Sequence, residues 1–354
     1  MSALLVLVIV IVLVALIFDY INGFHDAANS VATIVATRVL TPFQAVIWAA
    51  VFNFAAALPL LLSAEAGVAQ TVGVNLVNPA YVTPIVILAG LLGAIAWNLI
   101  TWFYGIPSSS SHALMGGYAG AVMCKVTMLE GIGNALKGVK IAGWIEITKF
   151  IVLAPVIGMV LGYVLMGVLL WLFRDSTPSK MDRWFRRLQL LSSAFFSFAH
   201  GSNDAQKTVG IITGVLVSAG YLKEFHVQGW VILCAFGAIA LGTMTGGWRI
   251  VHTMGSKLTR LKPRGGFCAE TAGAIAIMIP TYLKIPVSTT HVITGAIAGV
   301  GSINRVKSVR WGLMRRLVWA WVLTLPASAF VAAVCYYFVA IIAKLAGWPG
   351  AHPI

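Results

Sequence analysis

Two short passages place charge where an apolar segment should have none. Asp26 and Asp204 each lie about twenty residues into a long apolar run. A carboxylate at mid-membrane depth costs ~2.5–3.5 kcal/mol on insertion scales, so it is usually retained for a task. The surroundings are alike: Gly23-Phe24-His25-Asp26-Ala27-Ala28-Asn29-Ser30 and Gly201-Ser202-Asn203-Asp204-Ala205-Gln206-Lys207-Thr208, at an offset of 178 residues from Asp26 to Asp204. A carboxylate with neighbouring amide and hydroxyl oxygens suits a hard cation such as Na⁺. Asp26, Asn29, Asn203 and Asp204 are therefore the candidate sodium ligands. The nearby glycines predict a helix break that frees backbone carbonyls to join in. The competing reading is a pair of helix-end caps at the membrane interface.

A second pair of passages carries hydroxyls. Ile106-Pro107-Ser108-Ser109-Ser110-Ser111-His112 matches Ile285-Pro286-Val287-Ser288-Thr289-Thr290-His291, at an offset of 179 from His112 to His291. With Pro at a helix start, the hydroxyls fall in the first turn, beside free N–H groups and the positive end of the dipole. That is an anion site. Two such tips facing one another would surround a tetrahedral oxyanion with neutral donors. Ser108, Ser109, Ser110, Ser111, Ser288, Thr289 and Thr290 are the candidate anion ligands, with Gln206, Lys207 and Thr208 from the second aspartate passage. The bland alternative is that the hydroxyls only cap helices. An apolar stretch of about 10–14 residues follows each motif, which suits a re-entrant helix more than a full span. Lys207, aligned with Asn29, either meets the anion or balances Asp204. His112 and His291 close the hydroxyl motifs. A lone His in a helix is more often a hydrogen-bonded packing residue than a proton carrier, and the pairing argues for positioning, with pH sensitivity as a second role. Glu270 enters an apolar run, where burial or ion contact is expected. Glu65 belongs to a loop and should be solvated. Asp19 has no counterpart.

The elements that must hold these residues are apolar. Of 354 residues, 60% are hydrophobic and 10% charged, against roughly 25% charged in soluble domains. The opening run has no Lys or Arg and leads into Asp19, so it reads as a retained first helix rather than a signal peptide. Apolar runs recur at about 3–35, 43–62, 82–104, 106–124, 141–173, 188–219, 228–248, 267–283, 285–303 and 313–346. Cys124, Cys234, Cys268 and Cys335 lack metal or redox spacing. The net charge of +14 sits in loops between runs and acts as an orientation signal, not a nucleic-acid surface. Gly93-Ala94-Ile95-Ala96 repeats as Gly273-Ala274-Ile275-Ala276, so the chain reads as a duplication: 1–173, a basic cytoplasmic linker 174–187, and 188–354. Loop 249–264 carries Arg249, Lys257, Arg260, Lys262 and Arg264, whereas its counterpart 63–81 carries no Lys or Arg. Equivalent loops then lie on opposite sides. The 125–140 segment, with Lys125, Lys137 and Lys140, falls outside the cell on this scheme. The expected fold is an all-α polytopic membrane protein of two inverted-topology repeats, with broken helices and two re-entrant helical hairpins. Its expected place is the cell (inner) membrane, with both termini extracellular or periplasmic.

These paired motifs resemble the inorganic phosphate transporter (PiT) family, whose members carry a G-x-N-D-x-x-N-type signature in each half. The resemblance covers nearly the whole chain. It implies cation-coupled phosphate uptake, inverted repeats and commonly a homodimer, with phosphate and Na⁺ as transported ions and no cofactor. His25 replaces the usual Asn of the first signature and Lys207 the last Asn of the second, which leaves Na⁺ against H⁺ open. Sulfate is the alternative oxyanion. An anion channel with re-entrant hairpins is a second alternative. A serine hydrolase would need one asymmetric nucleophile–base site, whereas these Ser and His passages are duplicated.

Overall fold

A computed structural model of the chain describes residues 2–63, 66–303 and 305–345; Glu65 lies outside the described residues. The helices are α1 (Ala3–Ala36), α2 (Pro42–Ala55), α3 (Ala57–Ser63), α4 (Gly67–Gln70), α5 (Pro84–Phe103), α6 (Ser110–Glu130), α7 (Ile141–Leu172), α8 (Pro178–Ser218), α9 (Gly229–Thr245), α10 (Trp248–His252), α11 (Pro263–Tyr282), α12 (Thr289–Ser302) and α13 (Trp311–Leu345). No strand occurs among the described residues. Local chemistry sets many of the starts. Thr41, just ahead of Pro42, and Gln44 in the first turn of α2 form a capping box, and prolines open α5, α8 and α11. Among the described residues, five helical stretches are long and apolar enough to cross a membrane, with α2 and α3 counted together as Pro42–Ser63, or six if α9 and the segment that follows it, bent by 62° at Gly246-Gly247, form one span. On α7 and α13, Val152, Val160, Val164, Trp319, Phe330 and Phe338 are exposed, as expected of helices that face lipid.

Packing exchanges partners between the two sequence copies. Helix α6 packs on α13 and its counterpart α12 on α7; α1 packs on α9 and its counterpart α8 on α2. Both hydrophobic cores therefore draw on both copies: Ile11, Leu114, Val209 and Ala332 in one, Val31, Ala154, Phe196 and Val292 in the other.

Four expectations need correction. Helices α1 and α8 run unbroken through Gly23 and Gly201. These glycines serve close approach instead: a Cβ on Gly23 would fall 2.2 Å from the Ile239 backbone oxygen, and one on Gly201 2.5 Å from that of Asn53. The break lies in the α9–α10 segment. Pro107 and Pro286 precede the helices rather than open them, because Ser109 and Ser288 are the N-caps. Helix α6 runs for 21 residues, beyond the expected short stretch, while α12 has 14. Lys125 is accordingly a buried residue of α6, not part of a loop. Helix α8 begins at Pro178, within the basic segment 174–187.

Candidate functional site

The two hydroxyl motifs fold alike. The Ser109 side chain accepts from His112 N at 3.2 Å, and that of Ser288 from His291 N at 3.3 Å. Each therefore satisfies an end-of-helix donor. The first-turn N–H groups of Ser110, Ser111, Thr289 and Thr290 have no intrahelical acceptor. The tips meet: the Thr290 hydroxyl donates to the Ser108 carbonyl at 3.1 Å, and the rings of His112 and His291 lie 4.8 Å apart, with His291 stacked on Trp321 at 4.1 Å. Ser110 Oγ is buried without a partner. Two helix N-termini thus converge on one buried place, with a hydroxyl to spare.

The aspartate motifs reach the same place from α1 and α8. Asn29 Nδ2 donates to Thr290 Oγ1 at 2.9 Å and Thr289 Oγ1 at 3.3 Å. Asp204 accepts from Thr289 Oγ1 at 3.0 Å, from Ser111 Oγ at 3.3 Å and from Lys207 Nζ. Asp26 pairs with His25 Nδ1 at 2.9 Å, and the other nitrogen of that ring lies 3.0 Å from Thr101 Oγ1. Ser108 Oγ donates to Thr101 at 2.9 Å. Ligand atoms of Asp26, His200 and Asp204, all buried, lie within 4.8 Å of one another, so a cation could sit between the two carboxylates. Four candidate groups thus gather at one focus: Asp26 and Asn29, Asp204 and Lys207, and the two hydroxyl tips.

Other candidates point elsewhere. Asn203 donates to Thr281 on α11 at 2.7 Å. Gln206 accepts from Val68 N at 3.2 Å and lines a cleft with Ser202, Thr281 and Lys284. Thr208 faces Asp19. Glu270 is buried in its own cluster, where it accepts from Thr33 Oγ1 at 2.6 Å, Gln189 Nε2 at 2.9 Å and Ser192 Oγ at 2.5 Å.

Sequence reasoning missed His200, whose Nε2 is 3.2 Å from Asp204 Oδ2 and whose Nδ1 is 3.1 Å from Asn53 Oδ1. The signal was present: His200 precedes Asp204 by one helical turn. Thr101 and Asn53 gave no signal, because each meets its partner only through tertiary packing.

An apolar helical bundle enclosing paired carboxylates and opposed hydroxyl-capped helix ends defines an integral, multi-pass membrane transport protein. The profile of the phosphate transporter family matches residues 22–332, and the chain belongs to that family. A Rhizobium meliloti protein named "Probable low-affinity inorganic phosphate transporter" is 54% identical over 331 residues, covering 93% of this chain and 96% of its own. A Bacillus subtilis protein of the same name is 44% identical over 345 residues, covering 97% of this chain and all of its own. A solved structure described as "The sodium-dependent phosphate transporter" matches with a TM-score of 0.83 at 24% identity, over 95% of this chain and 100% of that chain, a likeness of fold. These relatives are transporters, not enzymes, which sets the hydrolase alternative aside.

Proposed function

We propose that the protein imports inorganic phosphate by cation-coupled symport, with Na⁺ as the cation. One observation carries this reading: the N-termini of α6 and α12 converge, hydroxyl-lined, on Asp26 and Asp204. Helix N-termini and neutral donors favour an oxyanion, yet two carboxylates beside them repel one. A bound cation removes that repulsion, so cation and anion affinities rise together and by the same factor. Ser110, Ser111, Thr289 and Thr290 supply hydroxyl and N–H donors to the anion. Ser108, Ser109 and Ser288 shape and cap the tips. Asp26 and Asn29 lie on the cation side. Gln206 lines a separate cleft with Ser202, Thr281 and Lys284.

Alternating access then moves one group of helices against the other around this focus. On the same reading the halves are inverted repeats in the cell membrane, with both termini outside, and the working unit is a homodimer. The test is radiolabelled phosphate uptake into proteoliposomes with and without a Na⁺ gradient, with sulfate as competitor. Gradient-driven accumulation that sulfate does not displace is expected. Uptake equal in Na⁺, choline and proton gradients would refute Na⁺ coupling, and flux that never exceeds equilibrium would refute symport in favour of a channel.

A further inference from the structure

Lys207 occupies the α8 position that Asn29 holds on α1. Its side chain is buried, and its ammonium group donates to three oxygens: Asp204 Oδ1, Ser111 Oγ at 2.5 Å and the Val287 carbonyl at 3.0 Å. A lysine ammonium has three donors and no acceptor. All three are used, so none is left for an anion in this conformation. The acceptors are a carboxylate, a hydroxyl and a backbone carbonyl, the oxygen set that a hard cation takes. Ser111 belongs to one hairpin tip and Val287 leads into the other. The ammonium therefore binds both tips to Asp204, as a cation held in the site would. The second oxygen of Asp204 accepts from Thr289 at 3.0 Å, with His200 Nε2 3.2 Å away. Asp26 has no lysine, and α1 carries an amide in its place, at Asn29.

We propose that Lys207 is a tethered replacement for one coupling cation. The Asp204–Lys207 pair is neutral without any bound ion, and a mobile cation is needed only on the Asp26 side. The inference rests on the transport reading above and deepens it: each phosphate is accompanied by one cation fewer than in a chain with an amide at this position.

The experiment measures radiolabelled sodium and phosphate entry together in proteoliposomes, for wild type, Lys207→Asn and the double variant Asp204→Asn/Lys207→Asn. Lys207→Asn should carry one more Na⁺ per phosphate than wild type, with the Hill coefficient for Na⁺ raised by about one. Its uptake should fall roughly tenfold at a Na⁺ concentration well below the dissociation constant of the new site. The double variant removes the pair as a neutral unit and should return to the wild-type ratio. An unchanged ratio in Lys207→Asn overturns the proposal. So does a raised KM for phosphate that no Na⁺ concentration corrects, since the lysine would then be an anion ligand. If Lys207→Asn does not fold, the double variant decides: a ratio one lower than wild type means that Asp204 held a mobile Na⁺, and overturns the proposal. A wild type that accumulates no phosphate refutes the transport reading itself, whereas wild-type accumulation with no change of ratio refutes only the tethered cation.

Discussion

Asn29 and Asn203 hold the amides of the paired signatures, yet the structure gives them unlike work. Asn29 bridges α1 to the α12 tip through Thr290 at 2.9 Å and Thr289 at 3.3 Å. Asn203 donates to Thr281, outside the hydroxyl tips. In Asn29→Ala the shorter bond is worth about 1 kcal/mol and the longer about half that. Thr289 keeps its donation to Asp204 and Thr290 its donation to Ser108, so neither hydroxyl loses an acceptor. The sum of ~1.5 kcal/mol is about tenfold in affinity. Phosphate uptake in proteoliposomes at saturating Na⁺ should show KM raised about tenfold in Asn29→Ala. In Asn203→Ala it should change less than about threefold, although the melting temperature in detergent falls. Equal KM increases in the two variants would refute the argument, because membership of a signature passage, not contact with the tips, would then govern binding.

Further outcomes follow from packing and capping. Gly23→Ala and Gly201→Ala drive a methyl into the backbone oxygens of Ile239 and Asn53, and each should cost ~1–3 kcal/mol, seen as lower melting temperature and less folded protein in detergent. Ser109→Ala and Ser288→Ala each remove an N-cap worth ~1 kcal/mol; matched, modest increases in KM are expected, and wild-type KM in both would show that the caps do not position the tips. Glu270→Ala strands the Thr33, Gln189 and Ser192 donors in a buried cluster, at about 3 kcal/mol or more; an unchanged melting curve would show that Glu270 does not hold α1, α8 and α11 together.

Polar residues in an apolar chain were legible because burial makes them costly, and duplication made the aspartate and hydroxyl passages stand out. Their neighbours were harder to read. Glycine beside Asp26 and Asp204 suggested a break, but a glycine permits either a break or a close contact, and only the position of α9 or α2 decides which. Lys125 looked like loop sequence because α6 runs past the apolar stretch to Glu130. The sequence alone leaves Lys207 between two roles, since a linear sequence does not show which oxygens surround an ammonium. The Glu270 cluster draws on α1 and α8, with partners at sequence separations of 237, 81 and 78 residues, which no local pattern reveals.

The exchange of partners between copies explains why the chemistry gathers where it does. Each hairpin helix packs on the long helix of the other copy: α6 on α13 and α12 on α7. Each aspartate helix likewise packs on the helix after its counterpart, α1 on α9 and α8 on α2. Neither half therefore completes its own tip. Ser111 of the first copy donates to Asp204 of the second, and Asn29 of the first donates to Thr289 and Thr290 of the second. A motion that separates α6 from α8, or α1 from α12, must break or re-form these bonds. On the proposed transport reading, ions bound among them would bias that motion, because they would contact both copies at once.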